Sequence, residues 1–335
     1  MWFKHLHLYR LHDAPVIPLA TLEDVLAEHA SRPLGNHDAR RIGWCSPGGR
    51  TDTRYAHELQ GHRLLSAQRQ ERLLPASIVR EEVEERTADR ERAEGAPLPR
   101  KEKQAIKEQV YEELLPQAFV RRQRVDLWWD TQRSLIGVNA SSAKRAEEVL
   151  DLLRQTLGSL KVTPLATQTL PIRAMTEWLH DPASRPADLR LGDQLELQSS
   201  DDEGVLRARR VDLDSEEILS LLSGGRQATR LAIDIEDRVS LMLHDDLALK
   251  SLRFADALID EASQADDGDD AIQRLETDFI LMAQTLAEAT DQLIAWLGGE
   301  ASTDGTSGGN AAITERNDSA MPHTHHDNTS VTPLT

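Results

Sequence analysis

Cysteine is almost missing from this 335-residue chain. Cys45 stands alone, which excludes an internal disulfide and fits a reducing compartment, where a single buried thiol is unremarkable. Long apolar runs are missing too. No stretch approaches the roughly 18 residues that a membrane-crossing helix needs. The first eight residues carry an apolar run too short and too interrupted for a secretory signal. The expectation is a soluble, cytoplasmic protein without a membrane partner. Motifs of catalysis are also lacking. There is no Walker or dinucleotide glycine loop, no Gly-x-Ser-x-Gly elbow and no His-Glu-x-x-His. Lysine is scarce: seven of the 39 basic residues are lysine, so nearly all positive charge is arginine.

What is present is a globular composition, 39% hydrophobic and 29% charged, with a formal net charge of −18. That sum disfavours a polyanionic partner. A phosphate, however, feels the field within about 8–10 Å, because salt screens beyond that. The distribution of arginine therefore matters more than the total.

The pattern predicts an α+β fold: an elongated, multi-lobed subunit with mixed sheets. Residues 1–75 form an N-terminal region with strands at 2–11 and 61–74. Between them lies a helix capped by Thr21, with Asp24 three residues on, running to about Ser31. Residues 76–116 read as a projecting helical hairpin broken at Gly95 to Pro99, its first arm poor in apolar residues. Residues 117–192 form a central strand–helix region, with strands at 119–130 and 135–139. A helix follows Ser142 with Ala146, Val149, Leu150, Leu153 and Leu157 on one face, and Gly158 ends it. A second helix covers 172–179.

Residues 193–298 are β-rich, with short strands at 194–197, 205–213, 228–235, 239–243 and 247–254 and a helix at 215–222. The acidic stretch at 266–270 lacks the later glutamate of a calcium loop. Ile272, Leu275, Phe279, Met282, Leu286, Ala289, Leu293 and Trp296 then mark a long helix. That stripe suits a core helix on a sheet, or a helix–helix seam. Residues 299–335 have a disordered composition. His323, His325 and His326 there are too few in ligands to predict a metal site.

Two features suggest chemistry. Asp234 and Glu236, on one face of a strand, are the best carboxylate pair for a divalent metal, set against a plain amphipathic strand. The arginine runs are more unusual. Arg121, Arg122 and Arg124 form one, and Arg207, Arg209 and Arg210 the other, with Arg207 and Arg209 expected on one face. A guanidinium donates paired hydrogen bonds to phosphate and keeps its charge. The competing reading is ion pairing with acids such as Asp126, Asp212 and Asp214. No base-reading motif appears, so any DNA contact is expected to be with the backbone.

An ordered series of motifs resembles the RdgC family of recombination-associated proteins. It opens with Trp2, Phe3, Lys4, Leu6, Tyr9, Arg10 and Leu11, and continues through Gly43-Trp44, Leu114-Leu115-Pro116, Ala118-Phe119 and Ser142-Ala143-Lys144. Leu157-Gly158-Ser159-Leu160, Thr176-Glu177-Trp178, Asp212-Leu213 with Ser215-Glu216-Glu217-Ile218, and Asp278-Phe279-Ile280-Leu281-Met282 complete it. The resemblance implies a ring-shaped homodimer enclosing double- or single-stranded DNA without sequence preference. It implies association with the nucleoid and antagonism of the recombinase RecA. It attaches no catalytic activity and no cofactor. Phe119 matches a residue of subunit contact, and Arg209 and Arg210 match a basic DNA-facing pair. Gln117 and Val211 depart from the basic residue and the glutamine found beside those sites. A direct protein contact with RecA, with DNA binding secondary, is the alternative.

Overall fold

The computed structural model describes residues 1–13, 16–199, 204–264 and 270–301. Met1–Glu300 forms one compact unit. The strands are β1 (His5–His12), β2 (Arg40–Cys45), β3 (Ala56–Leu59), β4 (His62–Leu73), β5 (Phe119–Asp130), β6 (Leu135–Val138), β7 (Lys161–Pro164), β8 (Leu189–Ser199), β9 (Val205–Arg209), β10 (Arg226–Ile235), β11 (Val239–His244) and β12 (Leu249–Phe254). The helices are α1 (Leu19–Glu28), α2 (Ala76–Glu94), α3 (Arg100–Leu114), α4 (Ala143–Leu157), α5 (Pro171–His180), α6 (Glu216–Ser223), α7 (Asp256–Gln264) and α8 (Ala271–Trp296).

The α+β class is as expected, but the expected separate sheets are one. The strands join in the order β2-β4-β5-β6-β1-β12-β11-β10-β8-β9, with β3 on β4 and β7 on β1. Neighbouring strands run antiparallel. β1 is the hinge between the halves. Its first residues pair with β12 (His5 with Lys250) and its last with β7, while β6 takes residues 7–10 on the other edge.

Successive residues of a strand point to opposite faces, and the sequence uses this at doublets. Leu8, Leu64 and Trp128 enter one core, with Trp178 of α5, Ile218 of α6 and Phe279, Met282 and Leu286 of α8. Their neighbours Tyr9, Leu65 and Trp129 enter a second core, against Leu22 and Leu26 of α1 and Val149, Leu150 and Leu153 of α4. The stripe of α8 is therefore a core helix on a sheet, and each such fully buried large side chain contributes about 1.5–3 kcal/mol.

Several expectations need correction. α1 begins at Leu19 after Pro18, so Thr21 lies inside the helix and does not cap it. Proline fixes the entry dihedral there, and α1 starts without a side-chain cap. The strand expected at 205–213 ends at Arg209, because Arg210 takes a positive φ of 57°. β8 starts earlier, at Leu189, and β12 later, after the positive-φ Leu247. The acidic residues 266–269 and the tail histidines lie outside the described residues. Asp270 caps α8, accepting from the Ile272 N–H at 2.9 Å.

The predicted helix pair is present as α2 and α3. Gly95, with φ 71°, turns α2 toward α3, and Val79, Leu98, Ile106 and Val110 form a small core of their own. In β2, Gly43 permits a close crossing. A Cβ there would lie 2.7 Å from the Ser31 Cα. That approach lets the Ser31 N–H donate to the Trp44 carbonyl at 2.7 Å, while the Trp44 indole donates to Thr156 of α4 at 2.7 Å.

Candidate nucleic-acid interface

The half of the sheet from β9 to β12 buries one face only. Leu195, Leu197, Leu231, Ile233, Leu241, Leu243, Leu249 and Leu252 turn into the first core. Alternate residues take the other face and stay exposed or half-exposed, Arg207, Arg209, Arg230, His244, Lys250 and Arg253 among them. Register aligns much of this set into a row across the strands. Glu196 stands opposite Arg207 and Arg230, Arg230 opposite His244, and Lys250 opposite His5. The row is in register from β9 to β11, then steps two residues along β11, where Lys250 stands opposite Met242, before it reaches β1. The crossing spans five strand spacings, about 24 Å at roughly 4.8 Å each.

The row is mostly basic. Its one buried acid, Glu196, accepts from Arg207 Nε at 2.6 Å and Arg230 Nη1 at 3.0 Å. Burial would raise the Glu196 carboxyl, but the Arg207 hydrogen bond and the two guanidinium charges outweigh it and hold it below the usual carboxylate range. One carboxylate between two arginines leaves a net positive charge. Arg209 and Arg210 form no ion pair among the described residues, so their charge is unspent. The acids expected to neutralise this run do not reach it. Asp214 instead pairs with Arg185.

Toward β1 the character changes. Lys250 Nζ lies 2.5 Å from His7 Nε2 and 3.3 Å from the Ala140 carbonyl. Burial lowers the Lys250 ammonium. Burial, then the Lys250 charge, lowers His7 to about 4. His5 and His244 are lowered first by burial, then by Lys250 and by Arg230 respectively. This end is a cluster of neutral imidazoles around one ammonium.

The first arginine run is not one surface. Strand alternation puts Arg121 on the face of Trp129 and Arg122 and Arg124 on the face of Trp128. Arg121 pairs with Glu71 at 2.8 Å; that carboxyl, hydrogen-bonded by Arg69 and Arg121, is held at about 2. Arg124 pairs with Asp126 at 2.9 Å, where the ion-pairing reading was right, and donates to the Pro47 carbonyl at 3.0 Å. Arg122 makes no ion pair among the described residues. Phe119, at the head of β5 beyond the hairpin, is 85% exposed and stands opposite Leu73, itself exposed.

The proposed carboxylate pair fails on geometry. β10 ends at Ile235, and Glu236 and Asp237 take positive φ in the turn that follows. Asp234 accepts from the Asp237 N–H at 2.9 Å, so it closes the turn and does not share a strand face with Glu236. Among the described residues, no group of three or more His, Cys, Asp or Glu is placed to hold a metal, and no helix is long and apolar enough to cross a membrane.

Sequence runs found Arg207, Arg209 and Arg210 but missed Arg230, His244 and Lys250. These come from three strands, and their one linear signal was a polar residue at alternate positions of apolar strands. Comparison with known proteins agrees on one family. The family model described as "Putative exonuclease, RdgC" matches residues 1–300. The recombination-associated protein RdgC of Tolumonas auensis is 39% identical over 306 residues, covering 90% of this chain and 99% of that protein. Its namesake in Yersinia pestis (strain Pestoides F) is 38% identical over 302 residues, with the same coverage. The chain belongs to the RdgC family of recombination-associated proteins.

Proposed function

We propose that this chain binds DNA backbone without sequence preference, as a ring-shaped homodimer that restrains RecA by occupying DNA in the nucleoid. The observation that carries this reading is the basic row on the open sheet face of a chain whose net charge is −18. Arginines fixed on a rigid sheet suit phosphate, and no base-reading motif appears in the sequence. Acidity elsewhere disfavours DNA on the remaining surface, so segregated charge steers the polyanion to one place. Phe119 is proposed as a dimer contact, supported by its exposure beside Leu73. Binding needs no cleavage, and the reading includes no nuclease activity: duplex incubated with magnesium should stay intact.

The test is duplex affinity across a salt series. Each phosphate neutralised should add about −0.9 to the log–log slope. Arg209→Ala with Arg210→Ala should weaken all sequences alike and make the slope shallower. Arg121→Ala, whose charge Glu71 already neutralises, should change affinity far less. A salt-independent affinity, or an arginine pair variant that binds as the parent does, would overturn the reading. In nuclease-treated extract, association with RecA should be lost; retention would favour direct contact.

A further inference from the structure

The row has two chemically different ends. The β9–β8–β10 end carries guanidinium groups, charged at every working pH. The β11–β12–β1 end carries Lys250, His5, His7 and His244. Lys250 is half-exposed, and its ammonium is turned onto His7 Nε2 and the Ala140 carbonyl. An ammonium has donors only, so His7 Nε2 is the acceptor and the imidazole is neutral. In this state the Lys250 charge is directed into the protein.

We infer that this end is a proton-gated subsite for a DNA phosphate, in which His7 sets whether the Lys250 ammonium faces inward or is presented to the phosphodiester. The inference rests on the DNA-binding reading above. Protonating His7 removes the lone pair that holds Lys250 and places two cations side by side. Lys250 sits at the end of a flexible four-carbon stem and can swing out, whereas buried His7 cannot. A phosphate at the surface then stabilises both charges. His7 does not touch the phosphate; it is a positioning residue.

The surroundings bear on the sign. Lys250 and His244 lower His7, and Asp246 opposes them. Asp245 and Asp246 oppose the lowering of His244, which Arg230 and Lys250 add to. Lys4 adds to the lowering of His5. Without DNA, the cations and burial win, and His7 stays neutral down to about pH 4. A bound phosphate reverses the largest charge term. By linkage, whatever raises the proton affinity of His7 is itself bound more tightly as pH falls. Phosphate offsets the Lys250 charge but not burial, so a full return of His7 to 6.5, worth about tenfold in affinity from pH 7.5 to pH 5.5, is the upper bound.

The experiment is duplex binding by the full chain at pH 7.5 and pH 5.5, at fixed salt. The parent should bind more tightly at pH 5.5, by up to about tenfold. Lys250→Gln should lose most of that gain, costing far more at pH 5.5 than at 7.5. His7→Gln, whose amide oxygen accepts from Lys250 at any pH, should flatten the profile. Arg209→Ala with Arg210→Ala should bind more weakly yet keep the pH gain. Because His7→Gln stands in a core strand, His7 is also titrated in the parent by NMR, with and without a short duplex. Its titration should move up when DNA is present. A flat parental profile, an equal cost of Lys250→Gln at both pH values, or an unmoved His7 titration overturns the gate and leaves the DNA-binding reading standing. A folded parent that binds no duplex at either pH overturns that reading itself.

Discussion

Glu196 restrains the surface on which it sits. It is buried between Arg207 and Arg230 and cancels one of their two charges. The two guanidiniums are exposed, so removing the carboxylate leaves no buried charge behind. It loses the hydrogen bonds and attraction that hold Glu196 ionised, which costs stability, and frees both cations for a new partner. Glu196→Gln should therefore unfold at lower urea and bind duplex more tightly, with a salt slope steeper by about one phosphate. Weaker binding by the folded variant would contradict this. His7 predicts an acid-side effect on the free protein. Its folded-state value of about 4 is below the ordinary 6.5, so the unfolded chain takes the proton first. The stability due to neutral His7 is complete above pH 6.5 and declines as pH falls toward 4. Urea midpoints at pH 7.5, 5.5 and 4.5 should fall in that order, and less steeply in His7→Gln. These pairings were not readable beforehand. Arg121 and Arg122 are adjacent in the chain, but the pleat sends one to Glu71 and leaves the other without an ion pair among the described residues. The acid that meets Arg207 is across the strand at Glu196, not along the chain at Asp212.

At the scale of elements, α2 and α3 are the most weakly founded pair. Their shared core is Val79, Leu98, Ile106 and Val110. Arg86 bridges Glu82 and Glu113, and Lys103 meets Glu91, but these exposed pairs add little. The hairpin should thus open on its own, below the free energy of global unfolding. Ile106→Ala should speed amide exchange throughout α2 and α3 while β4, β5 and α8 keep the parent's protection. Equal acceleration everywhere would mean that the arm and sheet unfold as one. Elements with a strong period were legible: α4 and α8 by their stripes, β4 and β5 by alternation, the hairpin by its Gly-Pro break. β2, β3 and β7 were not. They are only four to six residues long and owe their pairing to distant partners. The basic row was half legible for the same reason. Its β9 portion is a run, but Arg230, His244 and Lys250 become neighbours only when β10, β11 and β12 align.

At the scale of the whole molecule, a basic row lies on one sheet face of a chain whose net charge is −18. Enclosure of DNA would require a second copy, and the exposed Phe119 supplies a place to test this. Phe119→Asp puts a charge where an aromatic anchor is proposed, and such anchors dominate interface energies. It should shift sedimentation toward the monomer and weaken duplex binding, while leaving the thermal midpoint near the parent's because Phe119 buries little within the subunit. Unchanged sedimentation would move the contact elsewhere. The seating of β1 has a consequence for synthesis. The strand made first is the one on which both halves of the sheet close: β6, β7 and finally β12 must reach it. At roughly 5–20 residues per second, the interval between completing β1 and completing β12 is on the order of ten to fifty seconds. β6 and β7 cover residues 7–12 part-way through, but for the whole of that time the edge at His5 and Leu6 waits for β12, so the nascent chain depends on that edge being shielded until its last strands arrive.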